Sequence, residues 1–96
     1  MRIFKYTLSL DGADIKEVSM PKTSHVLTVQ VQNGVVCLWA LVNDATDLRL
    51  DDNVNEVRRF LVIGTGHKLP EGVGKYLGTV QLHDGALVLH VFEALS

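Results

Sequence analysis

A chain of 96 residues, 47% of them hydrophobic, is the size of one domain and can build a core without disulfide or metal staples. Its formal charge of -2, with acids and bases interspersed, excludes the basic footprint that duplex nucleic acid or an anionic bilayer demands. The one cysteine, Cys37, excludes an intrachain disulfide and suits a reducing compartment, and no apolar stretch approaches the roughly 20 residues of a membrane helix. The start, Met1-Arg2-Ile3-Phe4-Lys5-Tyr6, is charged and alternating where a secretion signal is continuously apolar. The expectation is a single domain over 1–96 in the cytoplasm where it is made, with no membrane contact.

Short runs of Val, Leu, Ile, Thr and aromatics predict strands near residues 2–8, 14–19, 25–32, 35–43, 56–63, 75–82 and 86–93. That is an all-β chain of about seven strands, arranged as a small antiparallel sandwich or barrel-like sheet. Asn33-Gly34, between Val29-Gln30-Val31-Gln32 and Val35-Val36, supplies the two positive-φ positions of a type I′ hairpin. With that turn Val31 lies opposite Val36, Val29 opposite Leu38 and Leu27 opposite Ala40, while Gln32, Gln30 and Thr28 meet Val35, Cys37 and Trp39.

The polar segment Asp44 to Asn55 reads as a surface loop. Its Asp47, Asp51 and Asp52 lack the glycine and terminal glutamate of a calcium-binding loop. Asp84-Gly85 marks a second hairpin that pairs Leu82 with Leu87, Val80 with Leu89 and Gly78 with Val91. On its other face Gln81 meets Val88, Thr79 meets His90 and Leu77 meets Phe92.

Both hairpins therefore carry a second face that mixes Gln30, Gln32, Thr79, Gln81 and His90 with Trp39, Val88 and Phe92. Solvent-facing antiparallel strands alternate apolar with polar, whereas Val35 to Val42 and Ala86 to Phe92 are nearly continuous apolar runs. No amphipathic helix is available to cover them, which leaves a second sheet of the same chain in a sandwich or closed barrel, or the same surface of another subunit; the expectation is a homo-oligomer, with Thr79, His90 and Phe92 at the subunit interface.

Gly64-Thr65-Gly66-His67-Lys68, after the apolar strand Phe60-Leu61-Val62-Ile63, has the glycines and donors to cradle a phosphate, though it is too short for a P-loop or dinucleotide fingerprint. The plainer reading is a turn with His67 packed over it. Histidines 25, 67, 83 and 90 show no metal-ligand spacing, and no metal or other cofactor is expected. With no nucleophile elbow and no paired carboxylates, the chain reads as a binding protein rather than an enzyme. Glu17, Glu56, Glu71 and Glu93 read as solvated surface carboxylates.

Five segments together resemble a family of short tailed-phage proteins: Val29-Gln30-Val31-Gln32-Asn33-Gly34, Cys37-Leu38-Trp39-Ala40-Leu41-Val42, Gly64-Thr65-Gly66-His67, Tyr76-Leu77-Gly78-Thr79-Val80-Gln81 and His90-Val91-Phe92-Glu93. The resemblance covers nearly the whole chain and departs from the family at Thr7, where proline is expected, and in a longer aspartate-rich middle. It implies a phage gene expressed in a bacterial host and brings no activity. Small oligomeric β proteins of phages serve as sponges for nucleotide-derived immune signals, by analogy rather than by motif.

On that analogy Gly64, Thr65, Gly66, His67 and Lys68 meet a phosphate of a cyclic dinucleotide or ADP-ribose derivative. Trp39 or Tyr76 stacks on a base, and Gln30, Gln32 or Gln81 reads its edge. The alternative is a protein-binding or virion-accessory module that docks a host or phage protein and has no small ligand.

Overall fold

The computed structural model describes residues 1–10, 14–43 and 54–95. The aspartate-rich loop expected over Asp44 to Asn55 lies almost wholly outside them. Seven strands follow one another: β1 Arg2–Leu8, β2 Ile15–Pro21, β3 His25–Gln32, β4 Val35–Val42, β5 Asn55–Gly64, β6 Val73–Leu82 and β7 Leu87–Ala94. All pairings are antiparallel, in a three-stranded sheet ordered β1-β4-β3 and a four-stranded sheet ordered β2-β5-β7-β6. Edge strand β3 abuts edge strand β6, and β1 approaches β2, so the two sheets wrap into a flattened barrel-like sandwich of 41 × 30 × 20 Å. No helix among the described residues is long and apolar enough to cross a membrane.

Alternation along each strand builds the interior. Leu8, Val26, Val29, Val36, Leu38 and Ala40 point inward from the first sheet, and Met20, Phe60, Val62, Val80, Leu82, Leu89 and Val91 from the second. Strand β4 and the second half of β5 are also buried on their outward sides at Cys37, Leu61 and Ile63, which explains the apolar runs Val35–Val42 and Phe60-Leu61-Val62-Ile63.

The first hairpin takes the expected turn, with Asn33 at φ 51° and Gly34 at φ 79°, and pairs Val31 with Val36 and Val29 with Leu38. One expected pair is corrected. A bulge between Val26 and Thr28 gives Ala40 to Val26 instead of Leu27, so Val26 is buried and Leu27 is 46% exposed. Adjacent Val26 and Leu27 are both apolar, and the sequence pattern cannot say which of them turns inward.

The second hairpin pairs Leu82 with Leu87, Val80 with Leu89 and Gly78 with Val91 as expected. Asp84-Gly85 sits within the connection His83 to Ala86, where His83, Asp84 and Gly85 all have positive φ. A second bulge, between Tyr76 and Gly78, corrects the expected pairing of Leu77 with Phe92: Tyr76 is the partner, and Leu77 packs against the core. The bulge re-aims two side chains at once, sending an aromatic outward and an aliphatic inward.

Glu93 is also corrected. It is no solvated carboxylate but takes two hydrogen bonds from Arg58, from Nε at 2.7 Å and from Nη2 at 2.8 Å. The third Arg58 bond, from Nη1, goes to the Ser24 carbonyl at 2.6 Å, so the fork ties β5 and β7 to the start of β3. The bond to Glu93 holds the guanidinium above the ordinary arginine range.

Closure of the barrel rests on Gly78. A Cβ there would stand 2.8 Å from Cγ1 of Val29, a stiff β-branched side chain in the core, so β6 lies as close to β3 as it does only without a side chain. Gly78→Ala should lower unfolding free energy in urea by about 1–3 kcal/mol, the usual cost of overpacking, and Val29→Ala should cost less stability in the Gly78→Ala background than in the natural chain. Unchanged stability in Gly78→Ala would show that the seam has slack.

Candidate functional site

Because Leu89 and Val91 face the core, their neighbours Val88, His90 and Phe92 face outward, and the ladder aligns His90 with Thr79 on one side and Ile63 on the other. The Thr65 amide donates to the Val88 carbonyl at 3.3 Å, extending the β5–β7 ladder past Gly64. Thr65 therefore stands two residues beyond Ile63 on the same outward side, diagonally across from His90. On β6 the bulge at Leu77 returns Tyr76 to this side, three residues from Thr79.

These four side chains form one continuous hydrogen-bonded chain. Thr65 Oγ1 lies 2.7 Å from His90 Nε2, His90 Nδ1 lies 3.0 Å from Thr79 Oγ1, and Thr79 Oγ1 is bonded in turn to the Tyr76 hydroxyl. Both ring nitrogens of His90 are thus held by hydroxyls, which fixes the plane of the imidazole. Thr65, Thr79 and Tyr76 are exposed and His90 is half-buried, so the chain lies open on the surface. The Tyr76 and Phe92 rings pack beside it, tilted by 58° with centroids 5.4 Å apart.

The turn after β5 borders this chain. The His67 amide donates to the Gly64 carbonyl at 3.1 Å, Gly66 takes φ 85°, and a side chain at Gly64 would come within 3.6 Å of the His67 ring. The imidazole is folded back over the glycine, and Thr65, Gly66, His67 and Lys68 are all exposed. Gln81, exposed two residues beyond Thr79, lies against the β6–β7 turn, where its Oε1 would meet a side chain at Gly85 at 3.2 Å.

The remaining expected site residues stand elsewhere. Gln30, Gln32 and Trp39 face outward from the three-stranded sheet, with Gln32 Oε1 accepting a 2.8 Å bond from Lys5 Nζ, and no contact joins them to the Thr65–Tyr76 chain. One copy of the protein therefore gathers Gly64, Thr65, Gly66, His67, Lys68, Tyr76, Thr79, Gln81, His90 and Phe92 on one sheet and leaves the tryptophan and two glutamines on the other. A cleft of about 300 Å³ between the end of β1 and the start of β2, lined by residues including Ser9, Lys16 and Glu17, touches neither group.

The sequence pattern puts Thr65 and Tyr76 among ligand contacts and Thr79 and His90 at an interface, whereas the structure joins all four. The Thr79–His90 pairing was legible from the hairpin register. Thr65 joins through the β5–β7 pairing, which has no local turn to announce it, and Tyr76 through a bulge. Among the described residues no three His, Cys, Asp or Glu side chains converge on a point that would hold a metal ion.

The chain matches a family described as a domain of unknown function, DUF7352, over residues 1–96. No curated protein and no solved structure matches it.

Thr65→Val and Thr79→Val each remove one partner of the His90 ring. Each should shift the His90 ring nitrogen and carbon resonances while leaving the amide resonances of Leu89 and Val91 essentially in place. Ring signals indifferent to both changes would show that the hydroxyls do not hold the imidazole in solution.

Proposed function

The chain belongs to the DUF7352 family, a domain of unknown function, and from that premise we propose that it is a small oligomeric binding protein. On this reading it is phage-encoded and acts in the bacterial cytoplasm as a sponge, sequestering a nucleotide-derived immune signal such as a cyclic dinucleotide or an ADP-ribose derivative. The observation that carries the reading is the surface chain Thr65–His90–Thr79–Tyr76 beside the Gly64–Lys68 turn. Hydroxyls, an imidazole and the Lys68 ammonium suit phosphate oxygens, and the exposed Tyr76 ring, backed by Phe92, suits the face of a base.

Catalysis is the weaker reading of the same residues. Thr65 and His90 have the spacing of a nucleophile and its base, but the group that orients the imidazole is a hydroxyl rather than a carboxylate. A hydroxyl stabilises an imidazolium far less, and an open sheet surface does little to exclude water from a reacting centre. Capture needs neither.

The outward face of the three-stranded sheet supports the oligomer. Ile3, Leu27 and Val35 are 60%, 46% and 43% exposed around half-buried Trp39 and Leu41. A second copy seated there would cover apolar surface and leave the Thr65–Tyr76 chain free for ligand. The same face supports the second reading, a virion-accessory or protein-binding module, if its occupant is a different protein.

Protein purified from cells and then denatured should release an ultraviolet-absorbing nucleotide, or the empty protein should bind a member of a cyclic dinucleotide and ADP-ribose panel in calorimetry. Replacing His67 and Lys68 by alanine should weaken that binding about tenfold or more, the scale of one charge-assisted hydrogen bond, with the oligomer intact. The solution mass should exceed the 10.6 kDa of one chain. No binding across the panel would overturn the sponge, and a monomeric mass would overturn the oligomer.

A further inference from the structure

We propose that the Tyr76–Thr79–His90–Thr65 chain is a proton-linked anion site, in which a ligand that places an acceptor oxygen at each end is held with uptake of one proton by His90. The inference rests on reading this surface as the ligand site, and adds the class of ligand and the condition that governs its capture.

The number of hydrogens in the chain limits what its two ends can offer. Each hydroxyl has one hydrogen to give, and a neutral imidazole carries one N–H. In one sense of the chain Tyr76 donates to Thr79, Thr79 donates to His90 Nδ1, and Nε2–H donates to Thr65 Oγ1. The Thr65 hydrogen is then free to point outward, and the tyrosine oxygen offers only a lone pair. In the opposite sense Thr65 donates to Nε2, Nδ1–H donates to Thr79, and Thr79 donates to Tyr76. The outward hydrogen is then on the tyrosine, and Thr65 offers only a lone pair. With neutral His90 an intact chain has one donor end and one acceptor end.

Protonation removes this restriction. An imidazolium donates through both nitrogens, so Thr65 and Thr79 both accept from it, and Thr79 passes its own hydrogen to Tyr76. Both ends of the chain then donate outward, and the ring carries a positive charge between them. No side chain has to move, because each heavy-atom contact already present serves either protonation state. A ligand with anionic oxygens at both ends therefore favours the protonated ring, and by linkage its affinity rises as pH falls. A two-phosphate nucleotide has this pattern.

The other titratable or charged groups around the ring are few. Tyr76 belongs to the chain, His67 and Lys68 lie on the turn after β5, and Lys75 lies on β6. Val88 and Phe92 flank the ring on β7, and Glu93 turns away to Arg58. On the outward side of β5 and β2, Arg59 and Glu17 bind each other at 3.0 Å. Of these, His67 is the imidazole that would compete as the source of a pH response.

The test uses probes that do not themselves titrate. Binding of propane-disulfonate, which has two anionic ends, and of methanesulfonate, which has one, is followed by nuclear magnetic resonance between about pH 6 and 8, the range in which imidazoles titrate. Disulfonate affinity should rise towards about tenfold per pH unit, the limit for one linked proton, and methanesulfonate affinity less steeply. Thr79→Val cuts the chain and should reduce the disulfonate slope to that of methanesulfonate, whereas His67→Asn should leave it.

Equal slopes for the two probes, an unchanged slope in Thr79→Val, loss of the slope in His67→Asn, or no binding of either sulfonate would each overturn the proposal. Cyclic dinucleotide binding is measured separately. Nucleotide capture with no pH dependence keeps the sponge and overturns the proton link. A sulfonate slope of the expected form with no nucleotide capture keeps the proton-linked anion site and overturns the sponge.

Discussion

Alternation across an antiparallel ladder is the constraint on which the rest of this structure depends. Once Val80, Leu82, Leu89 and Val91 are committed to the interior, Thr79, Gln81, Val88 and His90 have no choice but to face outward. The polar chain around His90 is thus a consequence of how the core is filled. Slipping β7 by one residue against β6 would turn His90 into the core, expose Leu89 and Val91, and part His90 from Thr79. A tight hairpin and a dense apolar core therefore hold the site as firmly as they hold the fold.

Much of this was legible in the sequence, and the reasons are local. Asn33-Gly34 dictated a turn geometry, and with it the partners of Gln30, Gln32, Val29 and Val31. Asp84-Gly85 placed Thr79 across from His90. Illegible were the bulge in β3 and the bulge before Gly78 in β6, because each falls beside a pair of residues that fit a strand equally well on either side: Val26 with Leu27, and Tyr76 with Leu77. The second mattered more for the site, since it delivers the Tyr76 hydroxyl to Thr79. Sheet order was equally hidden. Nothing short-range in the chain says that Thr65 and His90 belong to adjacent strands, or that Trp39 belongs to the other sheet. Glu93 looked like an ordinary strand-end carboxylate because Arg58, its partner, lies far away in sequence.

The outward surfaces of the two sheets differ in chemistry, and the proposed function gives them different tasks. Around Trp39 the surface mixes exposed aliphatics with Lys5, Gln30 and Gln32, suited to a broad contact with another protein surface. Around His90 it is a line of hydroxyls and an imidazole edged by Tyr76 and Phe92, suited to a small polar ligand. Gly78 and Val29 sit at the seam between the sheets, so the closeness of β3 and β6 also governs how the two surfaces are set relative to each other.

The most direct test of this account is a map of amide and side-chain resonance changes as a cyclic dinucleotide is titrated into isotopically labelled protein. The account predicts changes concentrated in residues 63–68, 76–81 and 88–92, with the His90 ring among the most affected and the surface around Trp39 and Gln30 unchanged. Changes centred on Trp39, or none anywhere, would contradict it.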